Sequence, residues 1–390
     1  MKKKILFLSH DAFRTGAPLI LLKFLEWLQQ SHQDIQFDVL LKKEGPLAAD
    51  FRKVAQTYLW EIPSKKTSQS LIARFSKRVM KNNPADTHRS DLLQTLKQNH
   101  YDLIYANTIA SSDVLDVLLL EMPLPTVLHV HELEMAIDLY CDRKLFEKVK
   151  DRITCFIAVS KVVRENLLKN HQVPEAKIAL VHPFAWASTE VVKPAEVLRQ
   201  ELGIPENAFI IGGSGTLEWR KGADVFVQGA RQVIAEEVPD RTVYFVWLGG
   251  WFEERYRLQI QYDIDSLGLA GRVLLCGAQM NPADYFNLFD VFFMPSREDP
   301  FPLVAIENGM IGNPVICFDH QVGSAEFIDA SCGAVVSYLD IRAAAAAILH
   351  FYKDAEALAQ AQENIKKRAV TYTVENQGAK IVEAIQKCLN

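Results

Sequence analysis

Two carboxylates, Asp299 and Glu307, bracket the most chemically pointed stretch of the chain, Met294–Val315, which reads MPSREDPFPLVAIENGMIGNPV. The apolar run Val291–Met294 predicts a buried strand, and a helix is expected from about Leu303 to Gly312. Pro302 suits the first helical turn, where its missing N–H costs nothing. The amides of Phe301, Leu303 and Val304 then lack intrahelical acceptors and point outward at the positive end of the helix dipole, a ready site for an anion. Glu307 falls one turn further in, on the face of Leu303, where its carboxylate can accept two hydrogen bonds from a ribose diol. A solvated helix residue is the plainer reading of Glu307. Asp299 stands at the mouth of the segment, within reach of a sugar hydroxyl, and is equally suited to cap the helix.

A second cluster, Arg220-Lys221-Gly222, precedes another expected helix. Adjacent cations at a helix start oppose the dipole, and an anionic ligand such as a diphosphate relieves the conflict. The alternative is a solvated surface pair. In the first half, Gly16 closes a polar loop after an expected strand and leaves room for a phosphate or sugar to approach the backbone. An ordinary strand–helix turn has the same look. His131 follows the expected strand Thr126–Val130, where polar residues line the crevice of an open α/β sheet, although a lone histidine is commonly structural. His129-Val-His131 is too tightly spaced for a metal site without a third ligand. Gly213-Ser-Gly215 lacks the third glycine of a dinucleotide fingerprint, and Asp263-Ile-Asp265 falls inside an expected helix.

Positioning these groups requires alternating strands and helices. Strands are expected at Lys4–Leu8, Phe37–Leu41, Leu103–Tyr105, Thr126–Val130 and Cys155–Val159 in the first half. The second half supplies Phe209–Gly213, Val243–Leu248, Val273–Cys276, Val291–Met294, Val315–Phe318 and Cys332–Val336. This βα alternation implies parallel sheets. At 390 residues the chain is too long for one core, and Val181–Pro194 breaks the pattern as an interdomain hinge. Apolar content of 49% and charged content of 23% are ordinary. A net charge of −5 gives no reason to expect nucleic acid. Six scattered cysteines without a C-x-x-C pair fit reduced thiols in a cytosol. The apolar start stops at Ser9-His10-Asp11, short of a signal sequence, and no stretch is long enough to span a bilayer. Lys65–Lys81 is basic with an apolar stripe. That pattern suits docking on an anionic membrane surface or a solvated basic face.

With these residues in place, the chain resembles family 4 of the retaining glycosyltransferases, the group 1 enzymes, over nearly its whole length. The resemblance is strongest at PSREDPFPLVAIE, which is similar to the family's motif of two acids separated by seven residues; Asp299 and Glu307 take the two acidic positions. It implies an α/β GT-B fold, two facing Rossmann-like domains with parallel sheets and an interdomain cleft. Residues 1–185 would be the acceptor side, 186–372 the nucleotide-sugar side, and 373–390 a helix crossing back. The implied reaction moves a sugar from a nucleotide-diphosphate donor to a hydroxyl of a glycan or lipid-linked acceptor, with retention and with neither cofactor nor metal. Asp299 and His131 would act at the donor sugar. Phe301, Pro302 and Leu303 would meet sugar and phosphate, Glu307 the ribose, Lys221 the diphosphate, and Gly16 the donor. The family's arginine position falls on Thr216, so Arg220 would supply that charge. His131-Glu132 is similar to the family's His-acid pair. Gly323-Ser-Ala-Glu326 and Gly333 also match, whereas His182-Pro183 stands where the family has Asn-Gly. Domain closure about the hinge would exclude water, and alanine at Lys221 or Glu307 is expected to lower turnover while leaving folding intact. A nucleotide-sugar epimerase or hydrolase of the same fold, or a non-catalytic sugar- or nucleotide-binding protein, is the rival reading.

Overall fold

The computed structural model of the protein describes residues 2–62, 84–186, 191–239 and 241–389. The chain divides into two compact units. One comprises Met1–Val159, Arg164–Val181 and Gly378–Asn390; the other comprises Ser160–Val163 and His182–Gln377.

The first unit is built on seven strands: β1 (Lys3–Ser9), β2 (Ile35–Leu41), β3 (Gln56–Leu59), β4 (Leu103–Asn107), β5 (Thr126–Val130), β6 (Cys155–Ala158) and β7 (Ile178–Leu180). Their order is β3-β2-β1-β4-β5-β6-β7, and every pairing is parallel. Ile5-Leu-Phe-Leu8 of β1 is fully buried, as expected of a central strand covered on both faces. The Gly16–Ser31 helix follows, burying Ile20, Leu21, Phe24, Leu25 and Leu28 at helical spacing. The strand order reverses between β1 and β4, where Ser9 pairs with Asn107. The loops leaving those two ends open the crevice in which α/β sheets bind ligands.

The second unit repeats the plan with β8 (Phe209–Ser214), β9 (Val243–Leu248), β10 (Val273–Leu275), β11 (Val291–Met294), β12 (Val315–Phe318) and β13 (Gly333–Val336). The order is β10-β9-β8-β11-β12-β13, again all parallel. Its core centres on Phe226, which lies edge-on to Phe245 and Trp247 with ring centroids 5.1 Å apart in each case. The reversal here falls between β8 and β11, so the switch point is framed by residues 215–222 and 295–302.

The expected strands of both halves are present, several with the expected bounds. Strands β3 and β7 were not expected. Both are sheet edges whose residues are only part-buried or exposed, so neither carries the continuous apolar run that marks a central strand. Of the expected hinge, residues 187–190 lie outside the described residues, as does the basic stretch Lys65–Lys81. From Gly378 onward the Val374–Leu389 helix belongs to the first unit, and a Cβ at Gly378 would come within 3.0 Å of the Trp27 ring. Among the described residues no helix is long and apolar enough to cross a membrane.

Candidate functional site

In the second unit the loop after β8 ends in a single 3₁₀ turn, Trp219–Lys221, closed by Gly222 in the left-handed region at φ 72°. A Cβ on Gly222 would lie 2.1 Å from the Pro295 carbonyl oxygen. Only glycine therefore lets the β8 loop and the β11 loop come this close. Arg297 fixes the approach: its guanidinium donates to both Asp224 carboxylate oxygens at 2.8 and 2.6 Å and to the Trp219 carbonyl at 2.8 Å, while its N–H donates to the Arg220 carbonyl at 2.8 Å. A bidentate pair of this kind fixes direction as well as distance.

The two cations singled out in the sequence do different things. Arg220 donates to the Glu298 carbonyl and to the Glu218 carboxylate, each at 3.0 Å, so its guanidinium ties the two loops together. Lys221 extends to Asp299, with Nζ 2.5 Å from Oδ2 and both side chains largely buried. Asp299 itself is held by backbone: its N–H donates to the Gln321 carbonyl at 2.8 Å, and its own carbonyl accepts from Gly323 at 2.9 Å. It does not cap the helix. The N-cap of the Leu303–Ile311 helix is Pro302, with no side-chain cap. Alanine at Lys221 would leave a buried carboxylate without its counter-charge, which costs on the order of 3 kcal/mol, so the variant is expected to fold with reduced stability.

Phe301 and Pro302 are buried at the start of the Leu303–Ile311 helix, which ends at Gly312 in the left-handed region at φ 112°. The first amides of the helix have no acceptor within it. Glu307 lies one turn in. Among the described residues its carboxylate makes no hydrogen bond or ion pair, and burial pushes it up to about 7. Asp263 and Asp265 are exposed on the Glu254–Ser266 helix, away from any strand end.

The first unit places a separate cluster at its own switch point. Asn107, the last residue of β4, donates from Nδ2 to the Ala17 carbonyl at 2.9 Å and turns Oδ1 toward His131 Nε2 at 3.0 Å. That arrangement puts the imidazole proton on Nε2 and leaves Nδ1 as an acceptor. Burial, with a smaller push from His10, takes His131 down to about 3, so the ring is neutral. Glu132 is buried and accepts from the backbone N–H groups of Ile109 at 3.1 Å and His131 at 2.9 Å. Thr108 is held at φ 86° between them, an unusual conformation for a β-branched residue. Nothing lies within 4 Å of a Cβ built on Gly16, so packing does not demand glycine there.

Asn107, Arg297, Asp224 and Glu218 were not singled out as site residues in the sequence. Asn107, Arg297 and Asp224 act through partners distant along the chain, which no local spacing signals, whereas Glu218 meets Arg220 two residues on.

Two Rossmann-like parallel units, each with polar loops at its switch point, define a protein of the GT-B class. Residues 22–185 match the Glycosyltransferase Family 4 model and residues 194–368 the Glycosyl transferases group 1 model, which together take in most of the chain. The chain belongs to this family. The D-inositol 3-phosphate glycosyltransferase of Corynebacterium urealyticum is 29% identical over 218 residues, 54% of this chain and 51% of that protein. The alpha-galactosylglucosyldiacylglycerol synthase of Streptococcus pneumoniae is 27% identical over 183 residues, 43% and 45% of the two chains. The matched stretch thus spans about half the length of these curated relatives. Among solved structures, Anabaena Alr3699/HepE in complex with UDP and glucose aligns with a TM-score of 0.79 at 19% identity, covering 99% of this chain and 100% of that one. WaaG, a glycosyltransferase involved in lipopolysaccharide biosynthesis, aligns with a TM-score of 0.69 at 15% identity, covering 98% and 99%.

Proposed function

We propose that this protein is a retaining glycosyltransferase that moves a sugar from a nucleotide-diphosphate donor to a hydroxyl of a glycan or glycolipid, in the assembly of a cell-surface polysaccharide or lipopolysaccharide. One observation carries the reading. Lys221 and Asp299 meet at the switch point of the second unit, close in sequence to the start of a helix that has no side-chain cap and whose next turn carries Glu307, without a hydrogen-bond or ion-pair partner among the described residues. An anion binder, a sugar acceptor and a ribose acceptor thus come from one pair of loops.

The leaving nucleoside diphosphate gains charge as the glycosidic bond breaks. Lys221 and the Leu303 and Val304 amides meet that charge, as preorganised donors should. Arg220 holds the loop that carries Lys221, and its carbonyl anchors Arg297. Glu307 takes the ribose diol, and Asp299 and the neutral His131 orient the sugar, His131 accepting a hydrogen bond from a hydroxyl at Nδ1. With charge met by Lys221 and amides, turnover is expected to persist in the presence of a chelator. The names of the relatives in glycolipid and lipopolysaccharide synthesis support the acceptor class.

The test is a thermal-shift screen against UDP-, GDP- and ADP-sugars, followed by product analysis with and without acceptor. A ligand present at a hundred times its Kd stabilises the fold by about 2.7 kcal/mol, so one donor class should raise Tm by several degrees. The anomeric configuration of the product, read by NMR, should match that of the donor. If no nucleotide sugar shifts the transition, the reading fails. Sugar release or epimerisation that is equally fast without acceptor would favour the rival enzymes.

A further inference from the structure

Cys155 is the first residue of β6 and Cys388 lies in the last turn of the Val374–Leu389 helix, both in the first unit. Their thiols are neighbours, close enough to shift each other's titration, and the Cys155 thiol donates to the Phe156 carbonyl at 3.6 Å. Both line one solvent-open cavity of about 500 Å³, together with Ala179, Lys380, Glu383 and Lys387. Neither cysteine is fully buried, so a small oxidant can reach them.

The two sulfurs are also unequal. The neighbouring Cys388 thiol holds the Cys155 thiol below its ordinary value, helped by the Ala179 N–H and the Lys387 charge against the opposing effect of burial. The same contact, with burial, pushes Cys388 up. The remaining four cysteines are all pushed up, chiefly by burial. A thiolate-prone sulfur beside a second, resolving thiol is the arrangement that oxidises selectively.

We propose that Cys155 and Cys388 form a reversible disulfide under peroxide, tying the end of the last helix to β6. The Cys155 thiolate attacks hydrogen peroxide: an S–O bond forms, the O–O bond breaks and hydroxide leaves, taking up a proton to become water. Cys388, losing its proton, attacks the resulting sulfenic acid; the S–S bond forms, the S–O bond breaks and a second water leaves. Each sulfur gives up one electron, and the peroxide oxygens are reduced to water. Closing so long a loop restricts the unfolded chain strongly, so the oxidised protein is more resistant to heat than the reduced one.

The experiment uses the full chain, reduced, freed of reductant and treated with equimolar hydrogen peroxide, then alkylated and examined by intact mass and peptide mapping. The expected result is a monomer lighter by two hydrogens, with the Cys155 and Cys388 peptides linked, a raised Tm, and full reversal by dithiothreitol. C388S should instead accumulate a Cys155 sulfenic acid that dimedone traps, and C155S should leave Cys388 unreacted. Both thiols remaining alkylatable after peroxide, Cys155 passing directly to sulfinic acid in the wild type, or C155S oxidising at Cys388 as fast as the wild type would each overturn the proposal.

Discussion

Lys221 and Asp299 form the contact on which most of the proposed chemistry turns. Their pairing makes single substitutions hard to interpret, because each leaves the other charge stranded. K221M alone should cost about 3 kcal/mol, whereas K221M/D299N, which removes both charges, should recover most of it. Denaturant melts of the wild type, K221M, D299N and the double variant measure this directly. Activity should not recover with stability: both K221M and the double variant should fall at least 100-fold in kcat/KM, since neither can meet the diphosphate. Recovery of turnover in the double variant would make Lys221 a structural lysine. Glu307 permits a second test, through pH. Its folded value of about 7 lies above the ordinary 4.5, so the fold favours the neutral acid. The penalty is absent below pH 4.5, grows as pH rises to about 7, and is constant beyond. E307Q should therefore be more stable than the wild type above pH 7, by on the order of 1–3 kcal/mol, with the difference vanishing near pH 4.5. The same variant should raise KM for the donor at least tenfold, because an amide offers one acceptor where the carboxylate offers two.

At the scale of elements, glycines show which loops are shaped by packing and which are open. Gly222 is required by the protein itself, through its left-handed backbone and the Pro295 carbonyl 2.1 Å from any Cβ. G222A should destabilise the second unit by about 2 kcal/mol or more and disturb both switch-point loops together. Gly16 is the opposite case. It opens the Gly16–Ser31 helix with nothing near its Cβ, so G16A should leave Tm unchanged or slightly raised while raising donor KM several-fold if a ligand approaches that backbone. Unchanged kinetics would make it an ordinary turn residue. The legibility of elements followed burial. Central strands such as Val291–Met294 and Val243–Leu248 were readable because both faces are covered and the apolar run is unbroken. The edge strands β3 and β7, half-wet and short, were not. The helices Ser112–Glu121 and Arg143–Val149 escaped notice because their apolar positions merge with those of neighbouring runs. In the site, residues identified by a local signal (Asp299, Glu307, Lys221, His131) were legible. Arg297 and Asn107 were not, because what gives each its role is a hydrogen bond closed by the fold across 73 and 24 residues.

At the scale of the whole molecule, the division of the chain into two units separates two functions that a kinetic assay alone would blend. Lys221, the Leu303–Ile311 helix start and Glu307 all belong to the second unit, whereas His131, with its orienting Asn107, belongs to the first. A nucleoside diphosphate lacking the sugar needs only the former set. H131A should therefore bind the free nucleoside diphosphate with Kd within about twofold of the wild type, because no lost contact approaches the ~0.4 kcal/mol that twofold represents. Its kcat with the intact sugar donor should fall at least 100-fold, as expected when a group acts on the reacting sugar. Because the ring is neutral down to about pH 3, the residual and wild-type profiles should share the same acid limb, with no histidine titration between pH 5 and 8 distinguishing them. The measurement is calorimetric titration of the diphosphate alongside pH-resolved turnover. A tenfold loss of diphosphate affinity in H131A would move this histidine from the sugar to the phosphates, and an extra acid limb in the wild type would mean that the imidazole carries a proton during turnover.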